Sequence, residues 1–111
     1  MATVELTNSN FEQTALGKGI VLVDFWAAWC GPCQRFSPVF DSASDANTDI
    51  TFGKVDTEAQ QELAASLEIQ AIPTLMAFKD GKLIYRNAGA MNRQGLDALI
   101  EQVRDFEPAA A

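Results

Sequence analysis

In Ile20-Val21-Leu22-Val23-Asp24-Phe25-Trp26 the apolar side chains occupy odd and even positions alike. Side chains along a strand alternate between its two faces, so a β-branched run that is apolar at both parities is covered on both sides and belongs at the centre of a sheet. Ala27-Ala28-Trp29-Cys30-Gly31-Pro32-Cys33 follows directly, and beyond it Phe36, Val39 and Phe40 recur at three- and four-residue steps, as on one face of a helix. Pro38 predicts a bend in that helix, because proline lacks an N–H and crowds the preceding turn. A central strand passing through a short turn into a helix is the nucleus of an α/β fold.

The flanking segments extend the pattern. Val4 to Leu6 predicts a short strand, and Ser9 followed by Glu12 has the capping-box spacing for a helix running to about Leu16, ended by Gly17. Ile50 to Val55 alternates weakly and predicts another strand. Thr57 with Gln60 repeats the capping-box spacing ahead of Leu63, Ala64 and Leu67. Thr74 to Phe78 and Leu83 to Arg86 flank Asp80-Gly81, the signal for a tight antiparallel hairpin. Asn92 is the expected N-cap of a last helix whose Leu96, Leu99, Ile100 and Val103 share one stripe. The order of strands and helices predicts a sheet with helices on both faces, in one domain spanning residues 1–106, followed by a loose tail at residues 107–111. The polarity of Tyr85-Arg86-Asn87 in a predicted strand has no explanation at this level.

Composition removes several classes of function. The chain has 111 residues, 48% of them hydrophobic, enough apolar material for one core without metals or several disulfides. Fifteen acidic residues against eight basic ones give a net charge of −7, the wrong sign for a partner held through a phosphate backbone, so no nucleic acid is expected. The longest apolar run is interrupted by Asp24 and is far shorter than the ~20 residues of a membrane span. The opening Met-Ala-Thr-Val-Glu lacks a basic region followed by an apolar stretch, and the expectation is a cytoplasmic protein without a signal peptide.

The two cysteines are too few for a secreted disulfide scaffold, and their closeness means a local role. Three apart at a helix start, Cys30 and Cys33 fall on one face with Cα atoms near the ~5.5 Å of a disulfide. Cys30 sits where first-turn N–H groups and the helix dipole favour a thiolate, which is the nucleophile; Cys33, one turn in, is placed to resolve a mixed disulfide. Gly31 tolerates the tight backbone, and Pro32 pre-sets φ in a turn where its missing donor does no harm. The competing readings are an inert disulfide and a zinc half-site. Zinc needs four Cys or His ligands, and a chain with no His and no third Cys cannot close such a site, so no metal is expected.

Asp24 has two placements: a surface carboxylate on a half-exposed strand, or a buried one whose raised pKa makes it a proton acceptor during thiol attack. Lys54 is either its modulator or a solvated strand-end lysine. Trp26 and Trp29 bracket the cysteines as walls against water and contacts for a protein substrate, with plain core as the other reading for Trp26. Pro73 in Ile72-Pro73-Thr74 opens a strand, where the missing donor is tolerated.

Together these residues resemble the thioredoxin family. Val23-Asp24-Phe25-Trp26-Ala27-Ala28-Trp29-Cys30-Gly31-Pro32-Cys33 matches the family's active-site strand and turn nearly residue for residue, and Pro38, Lys54, Ile72-Pro73-Thr74, Lys79-Asp80-Gly81 and Gly89 follow at the family's spacings. The resemblance implies a thioredoxin fold, a central mixed sheet of about five strands flanked by four helices. It implies Cys30 as attacking thiol, Cys33 as resolving thiol, Asp24 as buried proton carrier with Lys54 beside it, and a cis Pro73 facing the disulfide. The Ile72 backbone would pair with an extended substrate segment, and Ala88, Gly89 and Ala90 would complete the groove. No bound cofactor is implied; electrons would come from a thioredoxin reductase and ultimately NADPH, and a monomer acting on disulfide-containing proteins is expected. Gly31-Pro32 places no His between the cysteines, which favours reduction over the oxidase and isomerase chemistry of this superfamily; a non-redox binding subunit using the same groove is the other alternative. Gln34 stands where the family often has Lys or Arg, and Ala28 where it often has a polar residue.

Overall fold

The computed structural model describes residues 2–107, and the remainder of the expected tail, residues 108–111, lies outside the described residues. Nine elements follow one another: β1 (Thr3–Glu5), α1 (Phe11–Ala15), β2 (Ile20–Trp26), α2 (Gly31–Ala46), β3 (Thr51–Asp56), α3 (Gln61–Ser66), β4 (Thr74–Lys79), β5 (Lys82–Ala88) and α4 (Arg93–Asp105). The strands form one sheet in the order β1-β3-β2-β4-β5. β1, β3 and β2 are parallel, and β4 and β5 are added antiparallel, so the directions are mixed as expected.

The two parities of β2 account for the layers. Leu22 packs with Phe36, Phe40, Phe52, Leu75, Leu96 and Ile100 beneath α2 and α4. Val21, Val23 and Phe25 pack with Leu6, Phe11, Val55, Met76 and Phe78 on the face that carries α1 and α3. Each fully buried side chain of this size contributes about 1.5–3 kcal/mol relative to exposure, which is how a seven-residue strand covered on both faces anchors two cores at once.

Neither expected capping box forms. Asn10 precedes α1 and its side chain accepts the N–H of Thr7, and Ser9 makes no cap. The Thr57 hydroxyl donates instead to the Trp26 carbonyl, while Asp56 accepts the N–H groups of Glu58 and Ala59 ahead of α3. Side chains with turn-forming alternatives take them where a short helix offers little in return. Asn92 does cap α4, accepting Gly95 N–H at 2.8 Å. Pro38 lies inside α2, where it removes one helical hydrogen bond.

β5 is an edge strand, mostly exposed, which explains its polar sequence. Arg86 donates to the carbonyls of Leu67 and Glu68 at 2.7 and 2.6 Å, satisfying the C-terminal end of α3, where Glu68 takes a φ of 55°. The β4–β5 turn has positive φ at both Asp80 and Gly81, the backbone of a two-residue hairpin turn. Gly81 has φ +85°, and a Cβ there would come within 2.9 Å of the Leu16 carbonyl oxygen. Gly81→Ala is therefore expected to destabilise the protein by about 1–3 kcal/mol, seen as a lower urea midpoint at unchanged slope. Among the described residues no helix is long and apolar enough to cross a membrane.

Candidate active site

The strand directions bring one end of the sheet together. β2 ends at Trp26, its antiparallel partner β4 begins beside Phe25 at Thr74, and Thr74 in turn pairs with Ala88 at the end of β5. The turn into α2, the Ile72-Pro73 step and the Ala88-Gly89-Ala90 loop therefore share one edge of the molecule. Cys30, Cys33 and Ala27 form a small buried cluster there, with Trp26 and Ile72 packed against it.

Cys30 is the N-cap of α2, with extended backbone, and its Sγ accepts the N–H of Cys33 at 3.2 Å. Gly31 and Pro32 fill the first turn, and no acidic residue lies in it. The cysteines are joined as a disulfide with Cα atoms 5.2 Å apart, so opening or closing the bond asks little of the backbone. Cys30 Sγ also lies 3.7 Å from the Ile72 carbonyl oxygen, a contact in the disulfide form, where sulfur has no proton to donate. A thiolate at Cys30 would keep the Cys33 N–H and face the positive end of a sixteen-residue helix.

The Ile72–Pro73 peptide bond is cis, in agreement with the resemblance. The Pro73 carbonyl accepts Gly89 N–H at 2.8 Å, tying the two loops of the groove together. Gly89 has φ +116°, which a side-chain-bearing residue rarely adopts, and Ala88, Gly89 and Ala90 are all exposed. Trp29 stands out beside Cys30 at 69% exposure, an apolar surface left open by the described residues. Neither the cavity of about 390 Å³ lined by Gln70, Thr74 and Ala88 nor the one of about 300 Å³ lined by Phe11, Leu67 and Phe78 includes a cysteine. A redox pair on an open edge suits a macromolecular substrate better than a small one.

Asp24 is completely buried, which decides between its two placements. It lies on the same face of β2 as Leu22 and Trp26, beneath α2, and neither carboxylate oxygen has a hydrogen-bond partner among the described residues. Burial pushes its carboxyl up to about 7; Lys54 opposes the rise and Asp41 adds to it. Lys54 is its register neighbour on β3, with Nζ bonded to Ser37 Oγ at 2.7 Å and 5.5 Å from the Trp26 ring centroid. Trp26 is half-buried, packing on the cysteines while its Nε1 is buried without a partner among the described residues.

Ser37 and Asp41 were not singled out in the sequence, although they follow Cys33 at four-residue steps along one stripe of α2 and that spacing points them toward Lys54 and Asp24. Gln34, which departs from the family's pattern, has a local use. Its Nε2 donates to the Ala28 carbonyl at 2.6 Å and braces the loop that presents Trp29.

The thioredoxin family model matches residues 2–102. The chain is 48% identical over 106 residues to putative thioredoxin 2 of Streptomyces coelicolor, covering 96% of this chain and 79% of that protein. It is 39% identical to a thioredoxin of Alicyclobacillus acidocaldarius, covering 92% of this chain and 98% of that one. The solved structure of Malassezia sympodialis thioredoxin (Mala s 13) superposes with a TM-score of 0.81 at 37% identity, covering 92% of this chain and 93% of that chain. With a matching fold and a disulfide-forming Cys30–Cys33 pair at the start of α2, the chain belongs to the thioredoxin family and is a thiol-disulfide oxidoreductase that reduces protein disulfides.

Proposed function

We propose that Cys30 is the attacking thiol and Cys33 the resolving thiol, with Asp24 as the proton acceptor for Cys33 and Lys54 tuning it. The observation that carries this assignment is the N-cap position of Cys30, whose sulfur alone receives a first-turn N–H and the field of α2. The Cys30 thiolate attacks one sulfur of the substrate disulfide; a Cys30–substrate S–S bond forms, the substrate S–S bond breaks, and the other substrate sulfur leaves as thiolate and takes a proton. Cys33 then gives its proton to Asp24 and attacks Cys30, releasing the second substrate sulfur and leaving Cys30–Cys33 oxidised. Two electrons have passed from the protein to its substrate.

The extended substrate segment lies against Trp29, pairs with the backbone at Ile72, and runs between Pro73 and the Ala88-Gly89-Ala90 loop, with Trp26, Gly31 and Pro32 shaping the turn. An NADPH-dependent thioredoxin reductase returns the electrons, and the chain works as a monomer in the cytoplasm. Family membership supports disulfide-containing substrates and a reductase as partners in general. With NADPH and a bacterial thioredoxin reductase, the protein is expected to precipitate insulin by reducing it, at a rate proportional to its concentration. Oxidation of NADPH without any acceleration of insulin reduction would contradict the proposal.

A further inference from the structure

We propose that Arg35 selects among disulfide substrates, favouring those in which an acidic side chain flanks the cysteine that Cys30 attacks. The inference rests on the reading of Cys30 as the attacking thiol. Arg35 Nη1 lies 3.7 Å from where a Cβ on Gly31 would be, so the guanidinium is folded back along α2 over its first turn. That is the end of a helix where a cation is disfavoured, because unsatisfied N–H groups already make it positive. The first turn of α2 carries no acidic residue to offset either charge, and among the described residues Arg35 forms no ion pair. The guanidinium, which takes the ordinary direction of a helical side chain over residue i−4, thus adds its charge to the positive end of α2 beside Cys30.

The neighbouring groups sharpen the effect. Gln34 is neutral and turned to Ala28, so it brings no charge to the turn. Trp29, Gly31, Pro32, Ile72 and the Ala88-Gly89-Ala90 loop are uncharged. Arg93, at the head of α4, is held by Asp97 at 2.8 Å and by Ser42. Among the described residues Arg35 is thus an unpaired cation over the first turn of α2, beside Gly31 and hence next to Cys30 in the chain, on a protein whose net charge is −7. Over longer distances the chain repels acidic partners, and salt screens that repulsion within about 10 Å. The discrimination is a contact effect, exerted where an Asp or Glu beside the attacked disulfide meets the guanidinium in bidentate geometry.

Two synthetic peptides, each with one intramolecular disulfide and differing only in Glu or Lys on either side of the cysteines, provide the test. Rates of oxidation of the reduced protein by each peptide are followed by tryptophan fluorescence in stopped flow. The parent is expected to prefer the Glu peptide about fivefold at about 0.1 M ionic strength, where the long-range repulsion is screened, and less in molar salt, the scale of one exposed charge pair. Arg35→Gln should bring the ratio to about one, Arg35→Lys should keep part of the preference, and Arg35→Glu should reverse it. Equal slowing of both peptides by Arg35→Gln would mean that the guanidinium acts through the Cys30 thiolate, and overturns the proposal, as does a parent ratio of one or below. Reaction of the parent with neither peptide overturns the thiol assignment itself, and this proposal with it.

Discussion

Cys30→Ser is expected to lower insulin reduction by a factor of about a thousand or more, the scale on which loss of a covalent nucleophile acts. Cys33→Ser is expected to fail differently, stopping at the mixed disulfide and accumulating it. The two outcomes follow from the unequal environments of two sulfurs whose Cα atoms are only 5.2 Å apart. Cys30 caps α2 and receives the Cys33 N–H, so the first attack needs nothing from Cys33 except its backbone. Burial does not separate the two residues, at 4% and 2% exposure; what separates them is that Cys33 sits within the first turn without the N-cap position that favours a thiolate at Cys30. A hydroxyl at residue 33 keeps the backbone donor and removes only the second attack. Turnover assays on both variants, with mass spectrometry of the Cys33→Ser protein after exposure to oxidised substrate, separate the roles. Cys30→Ser working as fast as the parent, or adducts trapped by Cys30→Ser and not by Cys33→Ser, would reverse the assignment.

The central strand and the redox turn were legible in the sequence because each rests on a local rule with few exceptions. An apolar run at both parities has one place to go in a sheet, and two cysteines three apart ahead of a helical stripe have one geometry. The hairpin was equally legible, since Asp80-Gly81 supplies two residues able to take positive φ. The capping boxes misled because spacing alone does not say which backbone donor a hydroxyl will face once the sheet is assembled. Thr57 was drawn to the end of β2 by a partner 31 residues away. Arg86 looked misplaced for a similar reason: its use lies at the carbonyl end of α3, which no pattern within β5 reveals. Asp24 could not be placed because parity gives the face of a strand but not what covers it. Burial there depends on α2 lying over the strand, with Phe36 and Phe40 closing the space beside Leu22.

Asp24→Ala is expected to stabilise the protein relative to the parent by more at pH 8 than at pH 4, while slowing substrate reduction. In the folded chain the carboxyl keeps its proton up to about 7, because a charge on it would be buried without hydrogen bonds; in the unfolded chain it ionises near 3.8. Between these values the folded state binds more protons than the unfolded state, so stability falls as pH rises through the window, and above about 7 the full penalty applies. A gap of that width, at about 1.4 kcal/mol per pH unit, makes the difference between the two conditions at most about 4 kcal/mol. The alanine variant has no such dependence and carries a cavity cost that is the same at both pH values. Its effect on catalysis has the opposite sign. Without the carboxylate, Cys33 has no buried acceptor when it must attack the mixed disulfide, and turnover should fall by about tenfold or more. The parent's rate should also inflect near pH 7, where Asp24 loses its proton, and the variant should lack that inflection. Urea unfolding at pH 4 and pH 8, with pH–rate profiles of both proteins, examines the two effects on one substitution. A variant that gains no stability relative to the parent between pH 4 and pH 8, or one that turns over normally with the inflection intact, would mean that the residue is a structural carboxyl and that Cys33 loses its proton elsewhere.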